Sequence, residues 1–122
     1  MKINLRDIPV VSDNNGNIMR ISDGFGQFAV NYHEFKKGTD FTPLLKGLPG
    51  DMCPSPHYGY IFEGAFRFIF ADGTEEVYKT GDVYYAPAPH TAIVEEDTRL
   101  LEFSPQHEHN ELIEHVSRVM NQ

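Results

Sequence analysis

Two histidines at the start of β-rich runs are the first chemistry this sequence offers: His57 in CPSPHYGYIFEG and His90 in PAPHTAIV. Imidazole is the commonest protein ligand for transition metals, and a metal site needs three or more donors that converge. Cys53 lies four residues before His57, across Pro54 and Pro56. A stiff, extended lead-in can aim its thiol at the same pocket. Two imidazoles and a thiolate suit zinc, iron, nickel or copper, and the donor set does not choose among them. Asp51 is a further oxygen donor, but after Gly50 it is most simply a turn residue. Cys53 alone equally suits a small apolar filler.

Three other positions are expected in a ligand pocket. Gly59 lies two residues past His57, on the same strand face, where a missing side chain leaves room for a substrate or marks a bulge. Glu102 shares a face with Leu100 and Ser104 in RLLEFS and is either a cavity carboxylate able to act as a base or a solvated one. Tyr84 and Tyr85 are adjacent, so one of the two faces inward, to orient a ligand or simply to pack. Arg67, between Phe66 and Phe68, is expected to point outward. His33 can face inward with no partner in view, and His107, His109 and His115 read as histidines on a helix surface.

These residues must be held by short strands. Turn signals recur at SDNNGN, SDGFG, KKGTD, GLPGD, ADG, KTGD and PAP, with Asn15-Gly16 and Asp72-Gly73 as hairpin tips. Between them lie IMRI, FAVNYHEF, YGYIFEG, AFRFIF, EEVYK, DVYYA, TAIVE and RLLEF, rich in aromatic and β-branched residues. Many short strands at this spacing predict an antiparallel sandwich or barrel. The stretch from Thr42 to Met52 reads as a long loop. From Ser104 the period changes: Leu112, Ile113, Val116, Val119 and Met120 recur at helical spacing, with Ser104 as N-cap and Pro105 at the first helical position. The apolar stripe of that helix is expected to cover the sandwich or a partner subunit.

The pattern resembles the cupin superfamily, in particular a small single-domain branch. YIFEG resembles the hairpin closing the first cupin motif, GDVYYAP matches the Gly and Pro of the second, and EFSP resembles the usual last strand. The resemblance covers about residues 38 to 105. It implies an all-β fold, a double-stranded β-helix or jelly roll, with a C-terminal α-helix: one domain over 1–122, the barrel over about 18–104 and the helix over about 105–121. Counting back from Gly64, the carboxylate-ligand slot of the first motif holds His57. The upstream His-x-His slots fall on Asp51 and Cys53, or on Gly50 and Met52 with the longer spacer. Glu63, beside the expected turn, is read as solvated. His90 stands three residues after Pro87, two earlier than the second motif places its histidine. The resemblance therefore implies that the His57 and His90 rings converge at one barrel mouth.

Two functional expectations follow. One is a pocket for a small organic molecule with a divalent metal held by His57 and His90, the chemistry ranging over oxygenation, isomerisation and lyase reactions. The other is a metal-free ligand-binding module, or a structural one without catalysis. Whether the protein is an enzyme is left open by the residues. Net charge is −8 with Lys and Arg scattered, so no nucleic-acid partner is expected. A single cysteine, no signal-peptide pattern and no long apolar run predict a cytoplasmic protein away from the membrane. Sheet edges and aromatic faces predict a homodimer.

Overall fold

Two long strands carry the architecture of the computed structural model, which describes residues 1–121. β4 (His57–Phe70) and β7 (His90–Pro105) run antiparallel along most of their lengths, from Tyr58 opposite Phe103 to Phe70 opposite His90. Each spans two of the runs separated in the sequence. YIFEG is therefore not the end of a hairpin, because the chain bends at Gly64 and continues. Gly64 has φ +114, and a Cβ there would lie 2.4 Å from the Asp97 carbonyl oxygen and the Thr98 hydroxyl, so only glycine fits the bend. Glu63 is exposed beside it, as expected.

Around these two strands the others pair in order. β4 takes β6 (Val83–Ala86) along its first half and β5 (Glu75–Lys79) along its second. β7 takes β3 (Phe28–Phe35), followed by β2 (Asn17–Phe25) and β1 (Val10–Asn14), a strand preceding the expected start of the barrel. The β1–β2 turn has Asn15 at φ 53 and Gly16 at φ 84, both left-handed, as a two-residue primed turn requires. Gly73 is left-handed at φ 87 in the loop joining β4 to β5. The stretch read as a loop holds a short helix α1 (Thr42–Leu45) and a 3-10 turn (Pro49–Asp51).

Alternation along the strands fills the interior. Phe66, Phe68 and Phe70 point inward with Phe35, Ile61, Tyr78, Leu100 and Val94. Each such side chain contributes about 1.5 to 3 kcal/mol on burial. Arg67 points outward, paired with Glu75 at 3.0 Å and with Glu95.

The C-terminal helix, α2 (Gln106–Met120), begins two residues after Ser104 and has no side-chain cap. Ser104 is instead the fully buried penultimate residue of β7, because the strand's alternation carries on through it. Val116 is buried, and with Leu112 and Ile113 it faces Leu44 and Leu45 of α1. Leu112, Ile113 and Val116 thus cover one end of the protein's own barrel, while Met120 at the end of the helix is exposed. Among the described residues no helix is long and apolar enough to cross a membrane.

Candidate functional site

Cys53, His57 and His90 meet at the inner wall of the cavity beneath α2. One donor atom from each lies within 4.8 Å of the other two, and all three residues are buried. His57 opens β4 opposite Ala86 of β6, and His90 opens β7 opposite Phe70. Their ring centroids are 5.0 Å apart. Cys53 is placed by backbone pairing as well as by its flanking prolines: its N–H donates to the His90 carbonyl at 2.7 Å and its carbonyl accepts from the His90 N–H at 3.4 Å. Asp51 is not part of the group. It has φ 57 and accepts the Gly47 N–H at 2.9 Å, a turn role.

The three donors fit a metal by chemistry and spacing. His90 Nδ1 lies 2.9 Å from the Pro87 carbonyl, to which it donates, leaving the Nε2 lone pair free. Cys53 Sγ lies 3.8 Å from His57 Nε2. Ligands at ordinary zinc bond lengths and tetrahedral angles would be separated by about 3.6 Å. Burial holds the imidazole of His57 down at about 3 and that of His90 at about 4, so both rings are neutral. Burial also pushes the Cys53 thiol up to about 12, so a metal must displace its proton.

The other expected pocket residues divide. Tyr84 is buried and faces inward while Tyr85 is exposed. The Tyr84 hydroxyl donates to Glu102 Oε2 at 2.5 Å, and burial followed by the Glu102 charge raises its pKa well above the usual phenol range. Glu102 is a buried cavity carboxylate, held up at about 7 chiefly by burial, with its Oε1 3.9 Å from His57 Nδ1. Gly59 does not leave room for a substrate. A Cβ there would stand 2.4 Å from Tyr84 Cζ, so the space is already filled by the phenol ring.

Four polar residues at the site were not assigned to it from the sequence. Ser104 Oγ lies 2.7 Å from His57 Nδ1. Asn31 and His33 line the cavity from β3, on the inward face shared with Ala29 and Phe35. His109 is a correction to the expectation of a surface histidine: it is only 3% exposed, lines the cavity and bonds Asn31. Its spacing to Leu112, Ile113 and Val116 already placed it on the apolar stripe. His107 is exposed beside Glu111, and His115 Nε2 meets the Lys46 carbonyl at 2.9 Å.

A β-helix of paired long strands, with histidines opening β4 and β7 under a closing helix, defines a class: this is a small cupin-fold protein. It is similar to KdgF from Halomonas sp., with 22% identity and a TM-score of 0.58 over 84% of this chain and 92% of that one. It is also similar to ectoine synthase from P. lautus, with 17% identity and a TM-score of 0.59 over 87% and 78%. An RmlC-like cupin from Shewanella frigidimarina matches at 18% identity and a TM-score of 0.58 over 84% and 88%. No protein-family model and no curated protein matches the sequence.

Proposed function

We propose that the protein binds a compact, uncharged organic molecule beside a divalent transition metal held by Cys53, His57 and His90. The observation that carries this is the convergence of one sulfur and two imidazole donors in a cavity with no Lys or Arg among the described residues that line it. Phe35, Phe41, Phe66, Phe68, Leu112 and Val116 make most of its wall apolar. A carboxylate or phosphate would be desolvated there with no Lys or Arg to meet it and with Glu102 nearby to repel it, and the Cys53 thiolate and the Glu102 carboxylate together offset the charge of a divalent ion. The cavity measures about 90 Å³. An engineered cavity of about 150 Å³ admits benzene, so the ligand has at most about six heavy atoms. When bound, zinc, iron, nickel or copper would supply Lewis-acid polarisation of a ligand oxygen. Glu102, with its pKa near neutrality and Tyr84 fixing one oxygen, is placed to hold or release a proton on its other oxygen.

Isobutyramide and isobutyrate test the ligand class, having the same shape and heavy-atom count and differing in charge. At pH 7.5 the amide is expected to shift the methyl NMR signals of Leu112, Val116 and Ala92, and the carboxylate to leave them in place. If neither molecule moves those methyls, the cavity takes no ligand of this size and class; equal binding of the carboxylate overturns the uncharged class.

The protein is also proposed to form a homodimer in a reducing, cytoplasmic setting. The helix stripe is taken up by the barrel, so the surface for a second copy is the outer aromatic face of Phe28, Tyr58, Tyr60, Val83 and Tyr85, where Val83 is 83% exposed. Light scattering at tens of micromolar should give twice the chain mass of 13.9 kDa. A mass of one chain there refutes the dimer.

A further inference from the structure

A buried hydrogen-bond chain runs from His57 into the C-terminal helix. His57 Nδ1 lies 2.7 Å from Ser104 Oγ, Asn31 Nδ2 donates to Ser104 Oγ over 3.5 Å, and His109 Nε2 lies 2.9 Å from Asn31 Oδ1. All four side chains are buried, so bulk water cannot replace a missing partner.

The direction of each bond is set by its neighbour. An amide oxygen only accepts, so His109 carries its hydrogen on Nε2 and donates it to Asn31. This turns the Asn31 amide nitrogen, which only donates, towards Ser104. Among the described residues Ser104 Oγ has no partner besides Asn31 and His57, so its own hydrogen goes to His57 Nδ1. A neutral imidazole accepting at Nδ1 bears its hydrogen on Nε2. That hydrogen faces Cys53 Sγ at 3.8 Å, and the thiol in turn faces the Ser55 carbonyl at 3.6 Å. From Asn31 to the Ser55 carbonyl every donor in the metal-free chain therefore has an acceptor, with the ligating nitrogen of His57 blocked.

We infer that Asn31, Ser104 and His109 hold His57 in the tautomer whose hydrogen sits on Nε2, and that a metal ion takes that nitrogen only when the whole chain is turned over. This rests on the metal site proposed above. In the turned chain the Asn31 amide is rotated. Its nitrogen donates to His109 Nε2, Ser104 donates to the amide oxygen, and His57 donates from Nδ1 to Ser104, which frees Nε2. Each ring keeps one hydrogen throughout. His109 then carries its hydrogen on Nδ1, which is buried without a partner. Glu102 Oε1, 3.9 Å from His57 Nδ1, pulls towards the turned direction, but an orphaned buried N–H is less tolerable than an orphaned acceptor, so the resting direction is favoured and metal affinity is held below what the three donors alone would give. Asn31 and His109 are positioning residues, and α2 takes part in setting the metal site.

The sign of one substitution separates this from a network that merely ties α2 to the barrel. Asn31→Asp supplies only acceptors, so it takes the Ser104 hydrogen and leaves Ser104 to accept from His57. Its zinc affinity, measured by competition with a chromophoric chelator, is expected to rise by about 10-fold or more over the wild type. In a Ser104→Ala background the same substitution should change affinity by less than about threefold. Equal tightening in both backgrounds would mean that the new charge acts through space, and weakening in Asn31→Asp would mean a purely structural network; either overturns the inference. Ring ¹⁵N shifts of the metal-free protein read the tautomer without zinc. His57 should carry its hydrogen on Nε2 in the wild type and on Nδ1 in Asn31→Asp, and a wild-type hydrogen on Nδ1 also overturns the inference. If no form binds zinc, the metal proposal fails while the ring shifts still decide the tautomer.

Discussion

Acidification from pH 6.5 to 4.5 is expected to remove roughly 5 kcal/mol of stability from the metal-free protein, about as much as a small domain has in total. Burial holds His33 and His57 at about 3 and His90 at about 4, each below the ordinary imidazole value. Between pH 4.5 and 6.5 the unfolded chain protonates these three rings and the folded chain does not, so stability falls as pH falls. Glu102 acts in the opposite sense. Its folded pKa is raised to about 7, so over the same window the folded protein holds a proton that the unfolded chain has lost. Three protons favouring the unfolded state less one favouring the folded state leave two. At about 1.4 kcal/mol each per pH unit, the slope is nearly 3 kcal/mol per unit. His109, also lowered by burial, adds to the same side. Urea unfolding at pH 6.5, 5.5 and 4.5 checks this, with His33→Gln expected to reduce the slope by about one proton. Equal stability at pH 6.5 and 5.5 would show that the rings are not buried neutral.

Loss of a donor should be the largest effect on metal binding. His57→Gln and Cys53→Ser are each expected to weaken zinc binding by more than about 100-fold, exceeding the 10- to 100-fold typical of outer-shell changes. These variants will not be neutral for the fold. His90 packs 4.8 Å from Phe68 and His57 6.4 Å from the same ring, so both belong to the aromatic core. About 1 to 3 kcal/mol of destabilisation should accompany His57→Gln, and the same holds for His90→Gln. For the wild type, affinity should rise about 10-fold per pH unit from pH 5 to 8, because one thiol proton with a pKa of about 12 is displaced. A break near pH 6.5 is not expected, since the two imidazoles protonate only near 3 and 4. A chelator competition series across that range decides it. An unchanged affinity in His57→Gln, or a clear break at pH 6.5, contradicts the assignment.

The barrel and the pair of opening histidines were legible because they rest on local signals: turn residues, aromatic alternation, and motif spacing around Gly64 and Pro87. The flanking prolines point to Cys53, whereas its position is also set by backbone pairing with His90, a long-range contact that no spacing encodes. The sequence does not show that Gly59 is filled, because the neighbour that occupies the place of its missing side chain, Tyr84, lies on another strand. Ser104 reads as a helix cap because Ser-Pro imitates one, although its alternation with Glu102 and Leu100 places it on the inward face of β7. His109 and Asn31 needed the docking of α2 on β3, and that contact arises only in the folded chain. β4 reads as two runs because a glycine bend at Gly64 and a turn look alike in sequence, and β7, which has no glycine, reads as two because the polar Glu95-Glu96-Asp97 interrupts its apolar alternation.

Elemental analysis of untagged protein, purified without nickel resin or chelator, tests the metal centre most directly. The wild type should carry close to one zinc, iron, nickel or copper per chain, and the Cys53→Ser, His57→Gln double variant should carry none. Wild-type protein free of these metals, and binding added zinc no more tightly than the double variant, would contradict the proposal and leave Cys53, His57 and His90 as hydrogen-bonded partners in a dry core.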